Sequence, residues 1–394
     1  MKIVRHAKRT LFNTKEKLLV RLSKKNEIRK FEDPQRTAIY QTVTLSEQQK
    51  QEIDDLFLSH YGKKIPYTWH RHFTAFTGKF DARYIPELLF IPEFERYMNY
   101  PYHRYTEVLQ DKNILPLIAA AVGVATPRAY LSACNGAYRD QQLRLISRQD
   151  AAQLLRNIGE VFAKPTVETG SGVGCGVYTF QDGVDVRSGH TVEDLLSAWG
   201  DNFVVQERLV CHKSISAIYS GSVNTFRIIT YHWKGQIYRM PVIMRIGQGG
   251  SFLDNAHAGG MFIAVSDDGT LHRTAFTEFK KEFTLHPDSA LVFEGHQIEG
   301  FDRVLDAVSR MHEAIPQVGV VNWDFTIRED GEPILIEANM NGGSIWLIEM
   351  AHGCGVFGEN TESVLEWLRF MNRQPASEWH RYAFGRLPEN ELSL

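Results

Sequence analysis

Residues 321–339, VNWDFTIREDGEPILIEAN, constrain the fold more than any other stretch of this chain. Two short apolar runs flank Asp330-Gly331, a dipeptide suited to a two-residue type I′ turn, so the stretch predicts an antiparallel hairpin. With the turn centred there, Asp324 faces Glu337 and Asn322 faces Asn339. Opposed residues share a face, as do i and i+2 neighbours. One face then carries Asn322, Asp324, Glu337 and Asn339. The other carries Trp323, Phe325, Ile327, Ile334, Ile336 and Ala338, which is the pattern of a core. The two carboxylates would stand about 5 Å apart at Cβ. Facing carboxylates repel unless a cation or a proton lies between them. Two carboxylates beside an amide oxygen form a hard-oxygen set of the kind Mg²⁺ takes, usually with substrate phosphates as further ligands. A solvated hairpin face is the competing reading.

Composition sets the outer bounds. A chain of 394 residues has room for two or three domains, and 43% hydrophobic with 23% charged residues is an ordinary globular balance. A net charge of −3 gives no general attraction to nucleic acid. No apolar run approaches the roughly 18 residues of a membrane span, and no apolar segment of the signal-peptide type opens the chain. The four cysteines are scattered with no CxxC pair, which argues against a zinc site or a disulfide framework and for a reducing cytoplasm.

The first thirty residues are rich in Lys and Arg, opposed only by Glu16 and Glu27. Leu11, Leu18, Leu19 and Leu22 fit a helical stripe among these charges. Such a helix either lies on an anionic membrane surface or docks its leucines on its own domain. Residues 44–62 predict a helix with Ser46 as N-cap and Gly62 at its end. Residues 67–105, aromatic, basic and proline-punctuated, read as irregular: part of a substrate site or lid, or a packed connector with incidental histidines (His70, His72, His103). Asp111-Lys112 opens a short apolar helix, and Ser147 or Asp150 caps another.

Residues 161–164 and 177–180 read as strands around a loop in which Gly170, Gly172, Gly174 and Gly176 alternate. Backbone N–H groups of such a loop can wrap phosphates, with Lys164 beside it as a point charge. The loop lacks GK[ST] and does not open a helix, so it is neither a P-loop nor a dinucleotide fingerprint. A glycine hairpin with no ligand is the alternative. Residues 203–209, FVVQERL, form a buried strand ending in Gln206 and Glu207, either at an interdomain edge or as a plain strand end. Arg227 and Arg245 fall on neighbouring strands joined at Lys234-Gly235, a pair able to hold phosphate or carboxylate. Asp254, Asn255 and His257 lie in a polar turn, with His257 read as a substrate or acid–base group or as a turn histidine. A helix over residues 297–314 precedes the hairpin, two more follow it, and the tail from Gln374 reads as loosely held.

Taken in order, Lys112, Lys164 before the glycine loop, Gln206-Glu207, Asn224 with Arg227, and Asp324 with Glu337 and Asn339 resemble the ATP-grasp superfamily. SVNTFRIIT, MRIGQGGSFLDNAHAGG, VNWDF and IEANMNGGS are most similar to the sugar-transfer-associated ATP-grasp proteins of bacterial polysaccharide clusters. The resemblance covers roughly residues 106–368. It implies an α+β fold in which two α+β subdomains enclose ATP, behind an N-terminal, largely helical or irregular extension. Residues 1–105 would be that extension, 106–205 the small subdomain, 206–372 the C-terminal subdomain with the metal site, and 373–394 a tail. Lys112 and Lys164 would bind the α- and β-phosphates under a loop that includes Gly170, Ser171, Gly172, Val173 and Gly174. Gln206, Glu207 and the backbone of Leu209 would meet adenine and ribose. Asp324, Glu337 and Asn339 would hold Mg²⁺, and Arg227, Arg245 and Asn255 would attend the γ-phosphate and an acyl phosphate.

The resemblance implies a cytoplasmic ATP-dependent carboxylate–amine ligase acting on small-molecule substrates, an amino acid and a sugar or uronic acid among them. Peripheral membrane contact through the basic N-terminus, at the inner membrane surface, is a further expectation, and nucleic acid is not an expected partner. A phosphotransferase and a non-catalytic nucleotide-binding scaffold are the rival readings.

Overall fold

The computed structural model describes residues 2–166 and 173–388. Its frame is two antiparallel sheets, one of seven strands and one of eight. In the larger sheet Thr225–Trp233 is central. Val320–Ile327 and then Pro333–Asn339 lie on one side of it, and Val242–Ile246, Met261–Val265 and Leu271–Thr277 on the other. In the smaller sheet Phe203–Glu207 lies between Ala129–Cys134 and Gly159–Pro165, with Gly176–Gln181 paired to the last of these. The expected strands are all present. Arg245 sits on the return strand only after a break at Met240-Pro241, where proline cannot supply a ladder donor.

The hairpin forms, but by a different route from the one the sequence suggests. Asp324 pairs with Glu337 and Asn322 with Asn339, as expected. The turn, however, is a three-residue loop, Glu329-Asp330-Gly331. Gly331 N–H donates to Arg328 O at 2.8 Å, Arg328 N–H donates to Glu332 O at 2.9 Å, and only Gly331 has positive φ, at +85°. That geometry is a type I turn closed by a glycine bulge rather than a type I′ turn. It offsets the pairing by one residue, so that Phe325 meets Leu335 instead of Ile336. A second irregularity between Asp324 and Phe325 offsets it back, with Ile336 as the extra residue. The apolar face is corrected accordingly: Leu335 joins Trp323, Phe325, Ile327 and Ala338 in the core, while Ile336 is half-buried and turns to the cavity described below.

Alternation along the central strands divides the packing. Phe226, Ile228, Met244, Trp323 and Phe325 face the helix Phe301–Ala314. Ile229, Tyr231, Ile243 and Val320 face the N-terminal unit and the helices Trp346–His352 and Thr361–Arg373. Arg227 and Asp324 belong to this second face by the same period of two. The smaller sheet closes its own core with the helices Arg148–Leu155 and Val192–Ala198, the first capped reciprocally by both expected residues, Ser147 and Asp150.

The helices expected in the first thirty residues and over 44–62 form, and residues 67–105 are built of short helices rather than irregular. Ser46 caps Glu47–Leu56 in a capping box with Gln49, and Gly62 ends the helical run at φ +80°. Prolines at 86, 92 and 101 fall at or near the starts of short helical pieces, where a missing N–H costs little. His70 and His72 are core residues; burial pushes them down to about 4 and about 3. The first helix, Lys2–Arg29, does not dock its leucines. Leu11, Leu18 and Leu22 are 72%, 52% and 47% exposed, and the helix faces the domain with Glu16, Val20 and Glu27 instead. The described part of the tail, through residue 388, is also held more firmly than expected. Trp379 is buried against Tyr97, and Trp367 Nε1–H donates to Tyr382 O at 2.7 Å. No helix among the described residues is long and apolar enough to cross a membrane.

Candidate functional site

A cavity of about 740 Å³ opens between the two sheets and is closed at one end by the N-terminal unit. Its polar centre is Asp324, only 2% exposed. Arg227, on the neighbouring strand directly opposite, grips it with two bonds: Nε to Oδ1 at 2.6 Å and Nη2 to Oδ2 at 3.1 Å. Arg245, one strand further, reaches Oδ2 with Nη2 at 3.0 Å. Burial raises the Asp324 carboxyl, but the charges of Arg227 and Arg245 outweigh it and hold the group below its ordinary value. Arg245 in turn donates to Thr225 Oγ1 at 2.7 Å and to Asn255 Oδ1 at 3.1 Å. Asp254 stands behind it at 3.6 Å; there burial exceeds the pull of Arg245, and the carboxyl is raised. The predicted pair of arginines and Asn255 is thus one connected network ending on the predicted carboxylate.

Across the hairpin Glu337 is half-exposed, and Lys112 Nζ lies 3.3 Å from it. Lys112 sits in the turn before the helix Leu115–Ala121 rather than in the helix itself. Lys164, on Gly159–Pro165, is buried on the same side of the cavity. Burial depresses it to about 8, against the opposing pull of Glu337. Gln206 and Leu209 line the cavity floor. Glu207 also lines it, but one of its carboxylate oxygens accepts the Arg128 amide at 2.8 Å, which ties the strand end to its neighbour. Val173 reaches the wall, and Gly174 bends there at φ +76° against Pro165. Gly170, Ser171 and Gly172 lie outside the described residues.

The hairpin donors can be tested against a hard divalent ion. Asn339 lines the cavity, and its side-chain amide has no hydrogen-bond partner among the described residues. Among the described residues Glu337 makes one ion pair, with Lys112. Asp324 Oδ1 accepts one bond, which leaves one of its lone pairs unused. Three oxygen donors with spare capacity on one face fit Mg²⁺. Among the described residues no group of three or more His, Cys, Asp or Glu side chains is placed to hold a metal, so this set has two carboxylates and an amide rather than three carboxylates.

Several contributors have no sequence signal. Glu95 accepts the N–H groups of Gly342 and Gly343 at 2.5 and 2.7 Å and so fixes the loop just beyond Asn339. Asn99 donates to Val320 O and Met340 O at 2.8 and 2.7 Å and accepts from Gly319 and Val320, both at 2.9 Å. It therefore clamps both strands at the open end of the hairpin. At the end of the cavity nearest the N-terminal unit, Glu278 pairs with Arg36 and with His257, whose Nδ1 is 2.6 Å away. That bond to Glu278 raises the His257 pKa. Arg36 lies over the Trp346 ring at 5.2 Å. Only His257 in this group carries a recognisable sequence setting.

A family model described as sugar-transfer associated ATP-grasp matches residues 92–364. No curated protein matches. Among solved structures, an L-amino acid ligase from Bacillus licheniformis is 16% identical, over 68% of this chain and 52% of that one, with a TM-score of 0.36. The VanG D-Ala:D-Ser ligase from Enterococcus faecalis is 12% identical over 67% and 62%, with a TM-score of 0.38. An ADP complex of N5-carboxyaminoimidazole synthetase from Staphylococcus aureus is 10% identical over 60% and 46%, with a TM-score of 0.35. This chain spans about half the length of the first and last of these, by the shares of 52% and 46%.

Proposed function

The chain belongs to the sugar-transfer-associated ATP-grasp family, and on that footing we propose that it is an ATP-dependent carboxylate–amine ligase. The observation that carries the proposal is the opposition of Asp324 and Glu337 at the centre of a large cavity, with Arg227, Arg245, Lys112 and Lys164 converging on them. A substrate carboxylate attacks the γ-phosphate of ATP, giving an acyl phosphate and ADP. An amine then displaces phosphate and forms the amide. This chemistry asks for neutralised charge and fixed positions rather than a covalent protein nucleophile. Lys112 and Lys164 are assigned to the α- and β-phosphates, and Gln206, Glu207 and Leu209 to the nucleoside. Arg227, Arg245 and Asn255 are assigned to the transferred phosphoryl group. Asp324, Glu337 and Asn339 would hold Mg²⁺, which when bound supplies charge neutralisation between phosphates. His257, oriented by Glu278, has its other ring nitrogen available to take a proton from the incoming amine.

The joined partners in this proposal are an amino acid and a sugar or uronic acid, in the cytoplasm and for a surface polysaccharide; what supports the sugar is the family description, which links the fold to sugar transfer. The test is ADP and phosphate release with Mg·ATP, offering amino acids paired with amino sugars, uronic acids and their nucleotide-linked forms, with products weighed. Release that requires both a carboxylate and an amine, with an amide product, is expected, and Asp324→Asn and Glu337→Gln should each abolish it. Phosphate retained on an acceptor would make the protein a phosphotransferase. Wild-type turnover in both variants would remove the assigned site.

A further inference from the structure

The first helix, Lys2–Arg29, carries a surface that the domain does not use. At 3.6 residues per turn, Leu11, Leu18 and Leu22 fall within about 40° of one another around the helix axis. All three point away from the protein. Arg29 falls in the same arc, Lys15 and Lys25 border it, and Lys8 and Arg21 lie just outside; all five are exposed. Among the described residues none of these five makes an ion pair, whereas the acids of the helix are turned inward and used. Glu16 is 2% exposed and pairs with Arg96; Glu27 is 5% exposed and pairs with Lys30. The outward face is therefore apolar along its centre, cationic along both borders and free of carboxylate.

The domain ties this helix down near both ends. Arg9 bonds Ser377 at 2.9 Å and pairs with Glu378, and Lys24 pairs with Glu93 and bonds Tyr61 at 3.0 Å. A stripe of leucines kept in water on a fixed helix, between rows of unpaired cations, matches a lipid surface: the apolar centre enters the acyl boundary and the cations meet anionic headgroups. A protein partner with an acidic rim would satisfy part of this pattern. The length of the cationic borders, from Lys8 to Arg29 along one continuous helix, favours an extended anionic plane.

We infer that the protein docks on anionic membranes through the outward face of its first helix, with Leu11, Leu18 and Leu22 inserted and Lys8, Lys15, Arg21, Lys25 and Arg29 at the headgroups. The helix runs directly into Lys30, which lines the cavity. A docked helix therefore brings the N-terminal wall of the cavity close to the lipid, where an acceptor carried on a lipid could reach it.

The test is co-sedimentation of the full chain with vesicles of phosphatidylcholine alone, and with vesicles containing one phosphatidylglycerol for every two phosphatidylcholines. Binding to the second and not the first is expected. Leu11→Gln/Leu18→Gln/Leu22→Gln and, separately, Lys15→Glu/Lys25→Glu should each weaken it by about tenfold or more. Both variants change only exposed side chains, so an unchanged melting temperature separates lost docking from lost fold. Failure of the full chain to sediment with either vesicle overturns the inference. So does a leucine variant that binds like the wild type, which would mean adsorption by charge alone. Conversion of a dimer to a monomer by the leucine variant, without vesicle binding, would assign the face to a second copy. None of these readouts depends on ATP turnover.

Discussion

Glu95→Gln is the substitution for which the structure gives the most defined expectation. Glu95 is almost fully buried, and each of its carboxylate oxygens accepts one amide, from Gly342 and Gly343. Burial raises its pKa from the ordinary 4.5 to about 7, in spite of the two amides that favour the charged form. Between those two values the native protein binds more protons at this site than the unfolded chain does. Stability from this group is complete below about 4.5 and is lost as the pH rises through about 7. The gap is worth on the order of 3 kcal/mol. Glutamine keeps the shape and removes the titration. It also turns an NH₂ group toward one of the two glycine amides, and a buried donor left without a partner costs about 1–3 kcal/mol. The variant should therefore be less stable than the wild type in mild acid, by a margin that shrinks or reverses in mild base. Urea unfolding of both proteins from about pH 5 to about pH 8 measures this, and subtracting one curve from the other removes every other titrating group. A difference that stays constant across that range would refute the assignment of a protonatable clamp at Glu95.

Arg245→Lys keeps the charge but loses the fork that spans Thr225, Asn255 and Asp324. Turnover should fall by about a hundredfold with the fold retained, read as kcat for ADP release beside an unchanged circular dichroism spectrum. Lys164 is charged below about 8 and neutral above. Nucleotide affinity should therefore weaken as the pH rises through that value, by calorimetry, and the dependence should vanish in Lys164→Met. Asn99→Ala removes all four hydrogen bonds across the open end of the hairpin and should cost at least about 3 kcal/mol in urea unfolding, since several buried backbone groups lose their partner.

What the sequence made legible followed from period and turn chemistry. The Asp324–Glu337 opposition, the paired arginines on neighbouring strands and the helix capped at Ser46 are all local patterns. The turn type is not legible because Asp-Gly suits two turns, and what separates them is whether Asp330 or only Gly331 takes positive φ. Ile336 departs from the face that alternation assigns it because a bulge suspends alternation without leaving a mark in residue type. Residues 67–105 look irregular in sequence because short helices broken by Pro86, Pro92 and Pro101 never complete enough turns to show a period. Glu95, Asn99 and Glu278 stayed invisible for a different reason. Each acts on a partner distant in sequence, so nothing near it announces the role.

The bulge at Ile336 has a consequence for length variation in this hairpin. Because one residue between Pro333 and Glu337 lies outside the alternation, the strand holds a single residue of slack on the turn side of the site. Loss of one residue from 334–336 can be absorbed by letting the bulge flatten, with Glu337 still opposite Asp324 and every later side chain on its own face. Loss of Ala338 has no such reserve: it would exchange inside for outside at Asn339. Drift in chain length on the two sides of Glu337 is therefore unequal in cost, and the tolerant side is the one that ends at an exposed turn.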